Sequence, residues 1–169
     1  MIGKCKSSGV NLSFYLLNEK RNEEEVSLVR KHNLFSESPE GINNEMMLQA
    51  STSIGKKKVN KYIQHLIFSH HKNDNEKAMK YESDLLDQIE NDLKTKSLDL
   101  KKTQYYVVRH QDKEHLHYHI AFNKVDNQGN SMKMHNASYK AKNVAIQMSR
   151  EHSFECGKKT KHLQMLIYK

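Results

Sequence analysis

The sequence predicts a two-layer α+β fold in which helices pack mainly on one face of a central antiparallel sheet. Two strand-like runs, 104–110 and 116–125, lie close together in the chain, and we expect them to pair as antiparallel neighbours. A third apolar, β-rich run covers 62–69 and precedes a strongly amphipathic helix that starts near Asp74. The 169 residues suffice for one domain with a buried core, so we expect 1–169 to form a single unit.

The N-terminal part predicts two more strands and two short helices. The first helix is indicated by Leu12, Tyr15, Leu16 and Glu19, which recur at helical spacing. In chain order we expect a strand over 1–8, a helix over 11–20, a strand over 26–33, a loop over 35–41 and a helix over 42–53.

The C-terminal part predicts two helices and a tight turn. Asp74 can cap a helix whose apolar stripe would be formed by Ala78, Tyr81, Leu85, Ile89 and Leu93. The other faces of this helix are acidic, so we expect it to cover the sheet on the side away from any phosphate ligand. The run 126–130, Asp-Asn-Gln-Gly-Asn, is a strong turn signal, and 137–151 predicts a last helix.

Charge is distributed unevenly along the chain. The formal net charge is +8, yet 73–100 has four lysines against eight carboxylates, and 131–169 has eight basic residues against two glutamates. Any single basic run usually forms a solvated surface, but several runs around one site favour binding to phosphates. The candidates for that contact are Lys4, Lys6, Lys20, Arg21, Lys56, Lys57, Lys58, Lys133 and Lys140.

Cysteine content and hydropathy suggest an intracellular protein. The two cysteines, Cys5 and Cys156, form neither a disulfide framework nor a CxxC pair, so reduced thiols are the expectation. The sequence has no apolar run long enough for a signal segment or a membrane span. We therefore expect no membrane insertion.

The most informative stretch is 109–123, because four of the eleven histidines lie between His110 and His119. His117 and His119 are two residues apart, so on a strand they project to the same side, while Tyr118 and its apolar neighbours project to the other. If the two strands pair as a hairpin, His110 joins them, and three imidazoles can bind one divalent ion with positions left for substrate. Asp112 could support a ligand histidine or ligate directly. The metal site would then occupy the sheet face opposite the helices.

Other interpretations of the histidines remain open. An isolated His-x-His more often belongs to an ordinary surface or core than to a metal site. A structural ion in a non-catalytic nucleic-acid-binding module would need a closed set of four ligands and would be required for folding. A hydrolytic metallonuclease would use activated water and form no adduct with DNA. We expect His65 and Ser69 to lie on the histidine face as supporting groups.

The combined pattern resembles the HUH superfamily of single-strand DNA endonucleases, and most closely the plasmid mobilisation relaxases. Three blocks carry the resemblance, in the order found in that family. They are Ser7-Ser8 with 11–17 (Asn-Leu-Ser-Phe-Tyr-Leu-Leu), 65–69 (His-Leu-Ile-Phe-Ser), and 110–126, which contains His-Gln-Asp and His-Tyr-His. The third block is specific and the first two are weak alone. Leu116 stands where family members often have proline.

The resemblance implies a reaction and its participants. Tyr15 would attack one phosphodiester at a plasmid transfer origin, forming a 5′-phosphotyrosyl link and a free 3′-hydroxyl, with Asp112 among the catalytic residues. The ion bound by His110, His117 and His119 would be Mg²⁺ or Mn²⁺, although imidazoles also accept Zn²⁺, Ni²⁺ or Co²⁺. Partners would be single-stranded or hairpin DNA of the origin and accessory proteins of the relaxosome, in the bacterial cytoplasm.

Two points stay open within the resemblance. Replication initiators of the same superfamily place their tyrosine on a helix after the histidine pair, and Tyr139 opens such a helix, so Tyr139 is the rival nucleophile. Relaxases are commonly longer than this chain, which would then be a minimal enzyme or the N-terminal nuclease part of a longer protein.

Overall fold

Five antiparallel strands form one sheet in the computed structural model, which describes residues 1–8, 11–17, 25–55, 61–111 and 114–155. The strands lie in the order β1-β3-β5-β4-β2, so β5 is central and β1 and β2 are the edges. Their bounds are β1 Ile2–Ser8, β2 Val26–His32, β3 Ile63–Ser69, β4 Tyr105–His110 and β5 His117–Asn123. The helices are α1 Leu12–Leu16, α2 Pro39–Ser51, α3 Asn75–Lys80, α4 Glu82–Thr95 and α5 Ala137–Glu151. The expected α+β class and the antiparallel pairing of β4 with β5 are confirmed.

The larger core lies between the sheet and helices α3 to α5. Tyr118, Ile120 and Phe122 of β5 enter this core and are almost completely buried. Helix α4 contributes Leu85 and Ile89 to it, so the acidic amphipathic segment does cover this face. The acidic side of α4 also binds the sheet, because Glu90 accepts hydrogen bonds from Arg30 and from the Tyr105 hydroxyl.

Helices also pack on the other face, which we had expected to be largely open. A second core joins α1 and α2 to Tyr106 and Val108 of β4 and to Ala121 of β5. Asn123, buried at the end of β5, donates to the carbonyl of Met46 in α2. This face is therefore covered toward Asn123, and the histidines lie at the opposite end of β5.

Two helix predictions differ from the structure for identifiable reasons. Helix α2 begins at Pro39 within the expected loop, because the Ser38 side chain caps it by accepting from the Gly41 amide and proline suits the first turn. The single helix expected after Asp74 is interrupted at Tyr81, which is 43% exposed and joins α3 to α4. The prediction that Tyr81 belongs to the buried apolar stripe is therefore wrong.

The remaining element predictions are confirmed within a residue or two, apart from the first helix. Helix α5 has the predicted bounds, and the turn after Val125 is closed by a bridge between Val125 and Ser131. The first helix spans Leu12–Leu16 between the capping residues Asn11 and Leu17, so it ends earlier than expected, and positions 18–20 lie outside the described residues. None of the described helices combines the length and apolar character that crossing a bilayer requires.

Candidate active site

The register of β4 and β5 places three of the predicted residues on one face of the sheet. His110 pairs directly with His117, and His119 pairs with Val108. Directly opposed residues project to the same side, as do residues two apart on a strand, so His110, His117 and His119 share a face. The ring centroids of His110 and His119 are 4.4 Å apart, and those of His117 and His119 are 6.1 Å apart.

A fourth histidine from the neighbouring strand joins this group. His65 on β3 pairs with Ala121, and its Nε2 lies 2.9 Å from Nδ1 of His119. Ser69 pairs with His117 and lies on the same face, as we expected for both residues. His65 and His119 are 4% and 9% exposed, so their contact is shielded from solvent. We call His65, His110, His117 and His119 the histidine cluster.

Burial favours the neutral form of the inner histidines. Desolvation lowers the pKa of His65, and the positive charge of Lys6 adds to this effect. Desolvation also lowers the pKa of His119, followed by its interactions with His110 and His65. A neutral imidazole keeps one nitrogen lone pair, which is the form that binds a metal ion.

The first helix contacts the histidine cluster through its backbone. His110 Nε2 lies 2.7 Å from the carbonyl oxygen of Leu16, the last residue of α1. Because a carbonyl can only accept, Nε2 of His110 bears the proton, and the lone pair of a neutral ring is then on Nδ1. Tyr15 immediately precedes Leu16 and is 63% exposed, while Leu12 and Leu16 are buried. The tyrosine is therefore outside the apolar stripe of its own helix.

The rival tyrosine lies on the other side of the sheet. Tyr139 belongs to α5, whose Ala141, Val144 and Met148 pack into the larger core with Tyr118. The histidines of β5 project away from that core. Tyr139 is 64% exposed, but the sheet separates α5 from the histidine cluster.

The predicted phosphate-binding residues fall into three groups. Lys4 and Lys6 are exposed on edge strand β1 and pair with Ile67 and His65, so they project on the histidine face. Lys133 is exposed in the loop before α5, and Lys140 lies on α5, where its ammonium is 3.4 Å from the Ser97 carbonyl. The third group lies outside the described residues and comprises Lys20, Arg21, Lys56, Lys57 and Lys58, and the predicted catalytic residue Asp112 lies outside them as well.

Residues 15–154 match a family model with the description "Relaxase: MobA/VirD2-like, nuclease domain". The chain belongs to this relaxase family. The resemblance drawn from the histidine motif is thereby confirmed. Comparisons with curated proteins and with solved structures gave no significant match.

The donor chemistry of this relaxase fits a divalent ion, the cofactor that the family generally uses. His119 engages His65 through Nδ1 and His110 engages Leu16 through Nε2, so coordination would use Nε2 of His119 and Nδ1 of His110. As they stand, the described side chains include no group of three His, Cys, Asp or Glu residues arranged to hold a metal. Coordination by all three residues therefore requires at least one of the rings to reorient.

Sequence reasoning expected His65 on the histidine face of this relaxase as a supporting group, but it did not identify the residue that His65 contacts. The signal available was its position on an apolar, β-rich run, which indicates a strand but not its neighbour in the sheet. Its contact with His119 depends on β3 pairing with β5, and the paired residues Ile67 and His119 are 52 positions apart in the chain.

Proposed function

We propose that this relaxase domain nicks and rejoins one DNA strand at a plasmid transfer origin through a 5′-phosphotyrosyl intermediate. The relaxase family supports DNA nicking in mobilisation in general. The observation that carries the specific proposal is the position of Tyr15, exposed beside a residue whose carbonyl is hydrogen-bonded to His110. This contact ties the helix that bears the tyrosine to one of the proposed metal ligands.

The proposed chemistry is a reversible transesterification. The phenolic oxygen of Tyr15 loses its proton and attacks phosphorus, the bond from phosphorus to the 3′ oxygen breaks, and the released 3′ oxyanion takes up a proton to become the 3′-hydroxyl. Because the phosphotyrosyl ester retains the energy of the broken phosphodiester, a 3′-hydroxyl can attack it and release Tyr15. Strand transfer and recircularisation require a rejoining step of this kind, which consumes no ATP.

His110, His117 and His119 are the proposed ligands of a divalent ion, with Mg²⁺ or Mn²⁺ favoured. When bound, the ion supplies Lewis-acid stabilisation of the charge on a phosphate oxygen. The chain itself keeps His119 neutral by burial and holds His110 through the Leu16 carbonyl. We propose Asp112 as a catalytic residue that supports a ligand histidine.

Single-stranded or hairpin DNA would lie across the histidine face. Lys4 and Lys6 project on this face from the exposed edge strand β1, where they can contact phosphates on either side of the scissile bond. Lys140 is less favoured for this contact, since it lies on α5 on the other side of the sheet. We propose that 1–169 is a nuclease unit that acts with relaxosome proteins in the bacterial cytoplasm.

The experiment is a cleavage assay with labelled single strands of a transfer origin in the presence of Mn²⁺. We expect a covalent protein–DNA adduct on a denaturing gel, and we expect Tyr15→Phe to abolish it while single-strand binding stays nearly unchanged. Tyr139→Phe is the matched control, because it removes an equally exposed hydroxyl on the other side of the sheet. An adduct that survives in Tyr15→Phe and disappears in Tyr139→Phe would support the replication-initiator alternative instead.

A further inference from the structure

We propose that His65 is a positioning residue for the metal centre: it accepts a hydrogen bond from Nδ1–H of His119 and thereby directs the Nε2 lone pair of His119 toward the ion. This inference rests on the proposed function, because it assigns a role within that same site. It assigns to β3 a part in a centre whose proposed ligands all come from β4 and β5.

The sheet register creates the room that this contact needs. His65 is directly opposite Ala121, whose side chain is a single methyl group, and His119 is the diagonal neighbour on the same face of β5. Diagonal neighbours on adjacent strands are within reach of long or aromatic side chains. The imidazole of His65 thus lies against the ring of His119, with centroids 5.1 Å apart and ring planes inclined by 27°.

The direction of the hydrogen bond decides whether His119 can be a ligand. A neutral imidazole has one N–H and one lone pair, so only one of the two facing nitrogens can bear the proton. If His65 donated, the proton of neutral His119 would be on Nε2, and neither nitrogen could then coordinate. Ligation by His119 therefore requires that His119 donates from Nδ1 and that Nε2 of His65 accepts.

Burial makes this arrangement effective. Both side chains are less than a tenth exposed, so water cannot readily replace His65 as the acceptor. A metal-bound histidine almost always donates its other N–H to an acceptor, which fixes the ring orientation, and loss of that acceptor typically weakens metal affinity about 10- to 100-fold. Here the acceptor is a second imidazole rather than the more usual carboxylate or backbone carbonyl.

The tautomers can be tested without metal. Two-bond ¹H–¹⁵N correlation spectra of the ¹⁵N-histidine-labelled, metal-free protein distinguish a proton on Nδ1 from one on Nε2. We expect His119 to be the Nδ1–H tautomer and His65 to have an unprotonated Nε2 at neutral pH. A proton on Nε2 of His119 would overturn the proposal.

The role can be tested with two substitutions that separate hydrogen bonding from packing. His65→Phe keeps a buried ring but removes the acceptor, whereas His65→Gln retains a polar acceptor of similar reach. We expect His65→Phe to bind Mn²⁺ about 10- to 100-fold more weakly by calorimetry and His65→Gln to regain most of the loss. The thermal midpoints of the metal-free variants show whether each has folded.

The possible failures are distinguishable. If the wild-type protein binds Mn²⁺ and His65→Phe binds it equally well, the positioning role is wrong while the proposed function stands. If the wild-type protein binds no Mn²⁺, or if binding persists in a His117→Ala, His119→Ala double variant, the proposed metal centre fails and the role of His65 fails with it.

Discussion

At the residue scale, spacing alone was sufficient to bring three histidines to one face. His117 and His119 alternate with apolar residues on a strand, and the short connection to His110 favoured a hairpin, so period-two geometry predicted the grouping. The same reasoning could not show which ring nitrogen faces which partner. That depends on the Leu16 carbonyl, which contacts His110, and on His65, which contacts His119. Each of these contacts joins residues that are far apart in the sequence.

Burial of another histidine, His70, leads us to expect that the free energy of unfolding depends on pH. Both ring nitrogens of His70 are buried without a hydrogen-bond partner among the described residues, and the ring packs edge-on against Tyr118 and Phe154. Burial lowers its pKa from 6.5 to about 3, aided by the nearby terminal amine. In the unfolded chain the group regains its ordinary pKa, so between pH 6.5 and 3 the unfolded state binds the extra proton. Stability must therefore fall as the pH falls through this window.

We expect His70→Phe to reduce that dependence. Removing one such group should lower the slope of unfolding free energy against pH by about 1.4 kcal/mol per pH unit at about pH 5, as measured by urea titrations between pH 5 and 7.5. His135→Ala, at an exposed position, is the control and should leave the slope unchanged. An equal slope in the wild type and His70→Phe would contradict this account.

At the element scale, the periodicity of the sequence identified strands and helices better than it identified their faces. Helix α5 was predicted with its observed bounds because its apolar spacing is continuous. The break at Tyr81 was missed because an aromatic residue at helical spacing is compatible with an uninterrupted stripe. The packing of α1 and α2 over the histidine face was missed because an amphipathic pattern indicates that a face is buried, not which side of the sheet covers it.

The contact between β1 and α5 gives a stability prediction. A Cβ atom at Gly3 would overlap the carbonyl oxygen of Ala141 in α5, so the close approach of these elements requires glycine. We expect Gly3→Ala to lower the unfolding free energy by about 1–3 kcal/mol in urea titrations, because the backbones must separate.

Gly55→Ala provides the matched control for this contact. Its added methyl would meet nothing closer than the Ser53 hydroxyl at 3.7 Å, so we expect a change within about 0.5 kcal/mol. Equal stabilities of the two variants would mean that the helix and strand are not as closely packed as described.

At the scale of the whole molecule, charge differs between the two sides of the sheet. The acidic helix α4 covers one side, whereas Lys4 and Lys6 project on the histidine face. The uneven charge along the chain predicted this separation in outline. It could not predict the side on which Lys140 lies, because that depends on how α5 packs against the sheet.

Salt dependence of DNA binding tests which side meets the phosphates. We expect Lys6→Gln to lower the slope of log affinity against log salt for a single strand by about 0.7, the change for one lost phosphate contact. Lys94→Gln, on the acidic helix, is the control and should leave the slope unchanged, with both measured by fluorescence anisotropy. Lys140→Gln tests whether Lys140 on α5 also contacts a phosphate, as the sequence predicted. A larger effect from Lys94→Gln than from Lys6→Gln would contradict the proposed DNA face.

The central claim is that a tyrosine on the first helix becomes covalently joined to DNA beside the histidine cluster. Mass spectrometry of a protease digest, after reaction of the wild-type protein with an origin strand and Mn²⁺, tests it most directly. The account predicts a nucleotide attached to the peptide that contains Tyr15. A nucleotide attached to the peptide that contains Tyr139, or cleaved DNA with no attached peptide at all, would contradict it.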